Sequence, residues 1–273
     1  MMRLIFFLFG VLAHTLFFAV VFYMAGFVAN TLVPKSIDAP AADGPIWLAV
    51  AIDLVLIAAF TVPHSVMARP GFKRWWTQFV PHPIERSVYV MVSNMLMIAL
   101  LAFWRPIDGV MFDLQNPAAR VAAWSLFVAG WLLVPLASLV INHFDLFGTR
   151  QVWLHLQQKA YTHLPFRVPM LYKLVRHPLY VGWITAFWAT PTMTAGHLLF
   201  AASLTVYMLI AIPLEERDLK ALFGERYVEH RNRVGGLLPK WPRQLPQAAS
   251  AAAVATTAQS APLPRIHLDC GAD

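Results

Sequence analysis

The chain has 273 residues, of which 59% are hydrophobic and only 13% charged, and its mean hydropathy is +0.58. Soluble domains carry roughly 25% charged residues, so this composition excludes an ordinary soluble domain and points to a polytopic membrane protein. The single cysteine, Cys270, excludes an intramolecular disulfide, a cysteine-based zinc site and an iron–sulfur cluster.

Apolar runs predict six membrane-spanning helices, near 4–29, 45–66, 87–104, 121–143, 179–194 and 197–214. The first follows a lone Arg3 and is too long for a signal peptide, so it reads as a retained helix. It carries His14, placed towards the outer half and so out of reach of histidines at the inner face. The second contains Asp53, also nearer the outer side and read as a structural hydrogen-bond or ion partner, and it ends in Pro63-His64-Ser65-Val66-Met67-Ala68-Arg69. The third opens with Pro81-His82-Pro83-Ile84-Glu85-Arg86-Ser87, and the fourth ends in Asn142-His143-Phe144-Asp145. The fifth and sixth form a helical hairpin, broken at Thr190-Pro191-Thr192 and Gly196. Beyond them a charged helix carries Leu219, Phe223 and Tyr227 at i, i+4 spacing. Residues 1–246 read as one domain. The Ala-, Ser-, Thr- and Pro-rich stretch 247–273 reads as a disordered tail.

Charge placement tests this layout. With the N-terminus inside, 18 of the 21 Lys and Arg residues fall on the inner side, and only Lys35, Arg105 and Arg120 lie outside. The net charge of +7 is thus a topology signal, and no basic, aromatic-laced soluble surface suggests nucleic-acid binding.

Polar clusters gather on the inner side. Each also has a plain reading: Trp75 and Trp76 as an interfacial belt, Arg69 as an orientation or lipid-headgroup contact, Glu85-Arg86 as a first-turn ion pair. Asn142-His143-Phe144-Asp145 is costly at a span end unless solvated or paired, so it either lines a site or is held in a network. Glu216 can pair with Lys220 four residues on, whereas Glu215 sits beside the membrane and needs a partner. Either glutamate could be functional.

Two blocks then stand out. Arg176-His177-Pro178-Leu179-Tyr180-Val181-Gly182 opens the fifth helix; Glu215-Glu216, Leu219, Phe223-Gly224, Tyr227, Val234 and Pro239 follow the sixth. Together they resemble the membrane methyltransferases typified by isoprenylcysteine carboxyl methyltransferase, a group that includes phospholipid methyltransferases. His230 departs from the pattern, standing where a second tyrosine is usual. Stretches including Val33–Asp38, Pro63–Lys73 and Asn142–Gln151 further resemble the bacterial, methanethiol-methylating branch, and a related membrane family linked to denitrification.

The resemblance implies an all-α transmembrane bundle in the bacterial inner membrane with both termini cytoplasmic. It also implies S-adenosylmethionine as methyl donor and a small thiol as acceptor, with membrane lipid as surroundings. By position, Arg176, His177, Pro178, Tyr180, Gly182, Glu215 and Glu216 would hold the donor. His64 or His143 would be the base, Asp145 would orient an imidazole, and Arg69 or Arg150 would stabilise a thiolate. Asn142, Trp75 and Arg150 would line the acceptor pocket. No metal is implied. Other acceptors, a carboxylate or a lipid amine, stay open within the group. A b-type haem protein, ligated by paired histidines, is the rival from another class.

Overall fold

A computed structural model describes residues 1–40 and 44–240; the expected disordered tail, 247–273, and Cys270 lie outside the described residues. In chain order the elements are α1 (Met2–Val28), α2 (Ile46–Met67), α3 (Pro70–Trp76), α4 (Glu85–Phe103), β1 (Val110–Asp113), α5 (Pro117–Ile141), α6 (His143–Leu146), α7 (Thr149–Leu156), α8 (Met170–Leu174), α9 (Pro178–Trp188), β2 (Thr192–Thr194), α10 (Ala195–Phe223) and α11 (Glu225–Arg233).

Local chemistry sets several of these boundaries. Asn116 caps α5 by accepting from the amides of Ala118 and Ala119, with Pro117 in the first turn. Thr194 caps α10 by accepting from His197 N at 3.1 Å. Pro178 opens α9, where its missing N–H costs nothing. Gly224, at φ +59, ends α10 in a conformation that side-chain-bearing residues resist.

Among the described residues five helices are long and apolar enough to cross a membrane: α1, α2, α4 with the turn before it, α5 and α10. The fifth predicted span differs. As α9 it has 11 residues, a rise of about 16 Å, against a bilayer core of ~30 Å. The chain leaves the helix at Ala189 and runs into β2, which pairs antiparallel with β1: Val110 faces Thr194, Phe112 faces Met193 and Asp113 faces Thr192. Thr192 Oγ1 donates to Asp113 Oδ1 at 2.6 Å and fixes the clasp. The sixth span is longer than expected, because α10 continues unbroken through Glu215 and Glu216 to Phe223.

The ends of α2, α5 and α10 meet the starts of α4 and α9 on one side, tied by Arg69–Asp218 (2.7 Å), Arg86–Asp145 (2.8 Å) and Arg176–Glu216 (2.6 Å). This is the basic face. The β1–β2 clasp marks the opposite face. Towards the clasp the core is apolar and aromatic, with Phe27, Trp104 and Phe200 edge-packed and Trp104 Nε1 donating to Ile37 O at 3.1 Å. There Asp53 is fully buried and accepts from Arg105 N at 2.8 Å, the structural part expected of it. Large apolar side chains such as Phe22, Val55, Leu132 and Ile210 are exposed, the surface a helix presents to lipid. The chain is thus an all-α integral membrane protein apart from its small clasp.

The closest helix approach is between α5 and α9. A Cβ on Gly130 would lie 2.6 Å from Ala186 N, and one on Gly182 would lie 3.0 Å from Val134 Cγ2. Gly182, expected to touch the donor, is also where α5 packs closely on α9.

Candidate active site

The two motif blocks meet at the basic face. Glu216 is the buried centre of their contact. It accepts from Arg176 Nε at 2.8 Å, stands 2.6 Å from Arg176 Nη2 and 3.1 Å from His177 Nε2, and lies 3.7 Å from Arg231. It does so in place of the expected pairing with Lys220. Arg176 also donates through Nη1 to the carbonyls of Arg231 and Val234. The backbone amides of Arg176 and His177 donate to Gly235 O (2.8 Å) and Gly236 O (3.2 Å). These bonds strap the segment after α11 onto the start of α9. Arg176 and Glu216, both expected to bind the donor, are paired with each other, as buried charges need close partners.

Glu215 is differently placed. Its side chain is 40% exposed against 10% for Glu216, and it lies 3.7 Å from His177 Nδ1. Tyr180, Tyr89, Tyr172 and Tyr207 all lie within range of its charge. The Tyr172 hydroxyl is held above the usual tyrosine range by burial and then by the Glu215 carboxylate. The result is a carboxylate with tyrosines in its neighbourhood. His177 stacks on Tyr180 with centroids 5.5 Å apart, and Pro178 is fully buried at the first position of α9.

His64 joins this cluster. It sits between Phe60 (5.2 Å) and Tyr89 (5.1 Å), with Tyr207 edge-on at 6.5 Å. Its Nδ1 lies 3.0 Å from Ser93 Oγ, and its Nε2 lies 3.0 Å from Tyr89 Oη. Arg69, at the end of the same helix, pairs with Asp218 on α10 and so draws α2 against the helix that carries Glu215.

The remaining candidates form a second cluster. Both ring nitrogens of His143 are engaged, Nδ1 with Ser138 Oγ at 2.9 Å and Nε2 with His14 Nε2 at 2.8 Å. Ser138 Oγ also donates to Pro135 O at 2.9 Å. His14 was placed too far out: it reaches the basic-face histidine directly, and this contact closes the gap that an iron ligated by both rings would need. Burial holds His143 below the usual imidazole pKa. Asp145 does not orient the imidazole. Its carboxylate is taken by Arg86 (2.8 Å), Arg150 (3.0 Å) and Tyr161 (3.3 Å). Arg86 thus pairs with Asp145, and Glu85 with Lys73 at 3.9 Å, since adjacent helical residues do not face each other. Arg150 and His14 line a groove of about 550 Å³ beside α1. Asn142 ends α5, its carbonyl accepting from Asp145 N and Leu146 N. Trp75 is exposed on α3 among Phe72, Trp76 and Phe79, away from both clusters and in keeping with an interfacial belt. On α11, Tyr227 and His230 pack against Phe166, so an aromatic contact survives where histidine replaces tyrosine.

Sequence reasoning missed Tyr89, Ser93 and Tyr207. A tyrosine and a serine four apart on one helical face were a usable signal, since both must face the same neighbour.

No family model and no solved structure matches the chain. A methanethiol S-methyltransferase of Mycobacterium tuberculosis is 47% identical over 89% of this chain and 99% of its own length. Methanethiol S-methyltransferase 1 of Bradyrhizobium diazoefficiens is 48% identical over 89% of this chain and 85% of its own. Nurim of Sus scrofa is 31% identical over 66% of this chain and 71% of its own. The transmembrane bundle, the joined motif blocks and these relatives define an integral-membrane methyltransferase, an enzyme that uses a methyl donor. The chain belongs to the methanethiol S-methyltransferase family.

Proposed function

We propose that this chain transfers a methyl group from S-adenosylmethionine to methanethiol, giving dimethyl sulfide, at the basic face of a bacterial inner membrane with both termini in the cytoplasm. The observation that carries the reading is the Glu215 carboxylate, half-open and with Tyr180, Tyr207 and Tyr89 in range of its charge, in the cluster that His64 joins. A carboxylate that has no guanidinium or ammonium in ion-pair contact among the described residues, with tyrosines in its neighbourhood, fits a ligand that carries a sulfonium and an ammonium. When bound, S-adenosylmethionine supplies an electrophilic methyl group.

The chain's own groups supply the rest. Glu215 counters the donor's positive charge. The free amides of the first turn of α9, after Pro178, suit a carboxylate. His64 is the better-placed of the two candidate bases, because His143 has both nitrogens engaged within its own network. A thiol with a pKa near ~8.5, raised by burial, needs such a base to become the nucleophilic thiolate. The desolvated setting then favours a step in which opposite charges are consumed.

Cells expressing the chain and fed methanethiol are expected to release dimethyl sulfide, measured by headspace gas chromatography. Reporter fusions after Pro239 and in the loop at Asp108 are expected to report cytoplasm and periplasm respectively. Binding of S-adenosylmethionine without dimethyl sulfide would move the acceptor to a carboxylate or a lipid amine. Inverted fusion signals would refute the orientation.

A further inference from the structure

Tyr89 and Ser93 sit one helical turn apart on α4 and both face His64 on α2. Ser93 has one hydroxyl proton and two neighbours, Tyr89 O at 2.9 Å and His64 Nδ1 at 3.0 Å. Both contacts are satisfied only if Ser93 donates to the carbonyl and accepts from an Nδ1–H. That leaves the lone pair of His64 on Nε2. The Tyr89 hydroxyl stands 3.0 Å from Nε2, 3.1 Å from Nδ1 and 3.3 Å from His64 O, and with the ring proton on Nδ1 only Nε2 can accept from it. Tyr89 has one proton to donate, and the imidazole nitrogen is the stronger base. The basic nitrogen of His64 is therefore covered by Tyr89, which in turn lies within range of the Glu215 charge.

We propose that Tyr89 is the proton relay between the acceptor and His64, and that Ser93 is a positioning residue that fixes the His64 tautomer. The proposal rests on the methyl-transfer reading above. The acceptor S–H bond breaks and its proton passes to the Tyr89 oxygen. The Tyr89 O–H bond breaks in concert and its proton passes to His64 Nε2. The products are a thiolate and an imidazolium, with tyrosine regenerated. The thiolate electron pair forms the new S–CH3 bond, while the electrons of the broken bond return to the donor's sulfur. The imidazolium then releases its proton to water. His143 has no such relay: its Ser138 contact fixes the same tautomer, but Nε2 ends on His14.

The full chain, purified in nanodiscs, tests this in two ways. The first uses ring ¹⁵N shifts of histidine-labelled protein without ligands, with His64 assigned by difference against His64→Gln. They are expected to show Nδ1 protonated and Nε2 bare; Ser93→Ala should mix the tautomers, and Ser93→Thr should restore them. A wild-type His64 protonated on Nε2 overturns the assignment. The second is the pH profile of Tyr89→Phe with methanethiol. General acid–base groups contribute about 10²–10⁴-fold, so kcat at pH 7, measured at saturating S-adenosylmethionine, should fall about 10²-fold or more. The deficit should shrink as pH passes the acceptor's pKa, where thiolate forms without help. A deficit equal at every pH, or activity within about threefold of wild type at pH 7, overturns the relay. Absence of transfer by wild type, with the NMR pattern intact, instead overturns the methyl-transfer reading and the relay with it.

Discussion

Between Glu215 and Glu216 the helix turns through about 100°, and that step divides two adjacent carboxylates by task. Glu216 turns inward to Arg176 and His177, and Glu215 turns to the tyrosines. Glu216→Gln leaves the Arg176 guanidinium without its counter-charge in a buried setting, a loss on the order of 3–5 kcal/mol, visible as a lowered unfolding temperature in detergent. Glu215→Gln should leave that temperature unchanged and weaken S-adenosylmethionine binding at least about tenfold, the least expected for a lost charge-assisted contact, by calorimetry. Equal effects of the two variants on both measurements would contradict the division. The glutamate pair was legible in the sequence, and so was the strip of polar groups around it. Which glutamate bonds to Arg176, 40 residues away, was not, because that depends on how α9 and α10 lie against each other. His64 was legible from its position at a helix end. His143 offered the same signal, and only Ser138 and His14 together show it to be a held group.

At the scale of elements, the α5–α9 contact positions the first motif block. Gly130→Ala would press a methyl group against the backbone of Ala186, which cannot turn aside, at a cost of about 1–3 kcal/mol. Gly182→Ala meets the flexible end of Val134 first and should be the milder of the two. Unfolding of the two variants in detergent checks the order; a harmless Gly130→Ala would mean the helices can separate. Hydropathy revealed the existence of α9 but overstated its length. Thr190-Pro191-Thr192 marked the break, but the pairing of residues 192–194 with β1 is a contact to residues about 80 positions earlier that no local pattern carries. The unbroken run of α10 was also missed, since Pro213 and the charges after it resembled a span end.

For the whole molecule, charge asymmetry and apolar run length were sufficient to give the bundle and its polar face. They are properties of the chain against the bilayer and need no knowledge of packing. Two histidines outside the spans, His143 buried and His230 half-buried, add a pH dependence. His143 is held below the ordinary imidazole value by burial, and His230 by burial and then by Arg176 and His177. Below the unfolded value near 6.5 the unfolded chain binds protons that the folded chain refuses. Their contribution is therefore complete above about pH 6.5 and is lost as the medium becomes more acid. The unfolding temperature should fall between about pH 6.5 and 5, and by less in a His143→Gln, His230→Tyr double variant. An unfolding temperature that rises on acidification would reverse the sign of this argument.

The glycine contact between α5 and α9 bears on how such chains are recognised. Four of the motif positions that make this sequence identifiable, Arg176, Pro178, Gly182 and Glu216, are engaged in scaffolding. A descendant could conserve all four, match any pattern built on them, and have no means of catalysing transfer. On the methyl-transfer reading proposed above, diagnosis of a competent descendant would rest on Tyr180, Glu215 and the His64–Tyr89 pair.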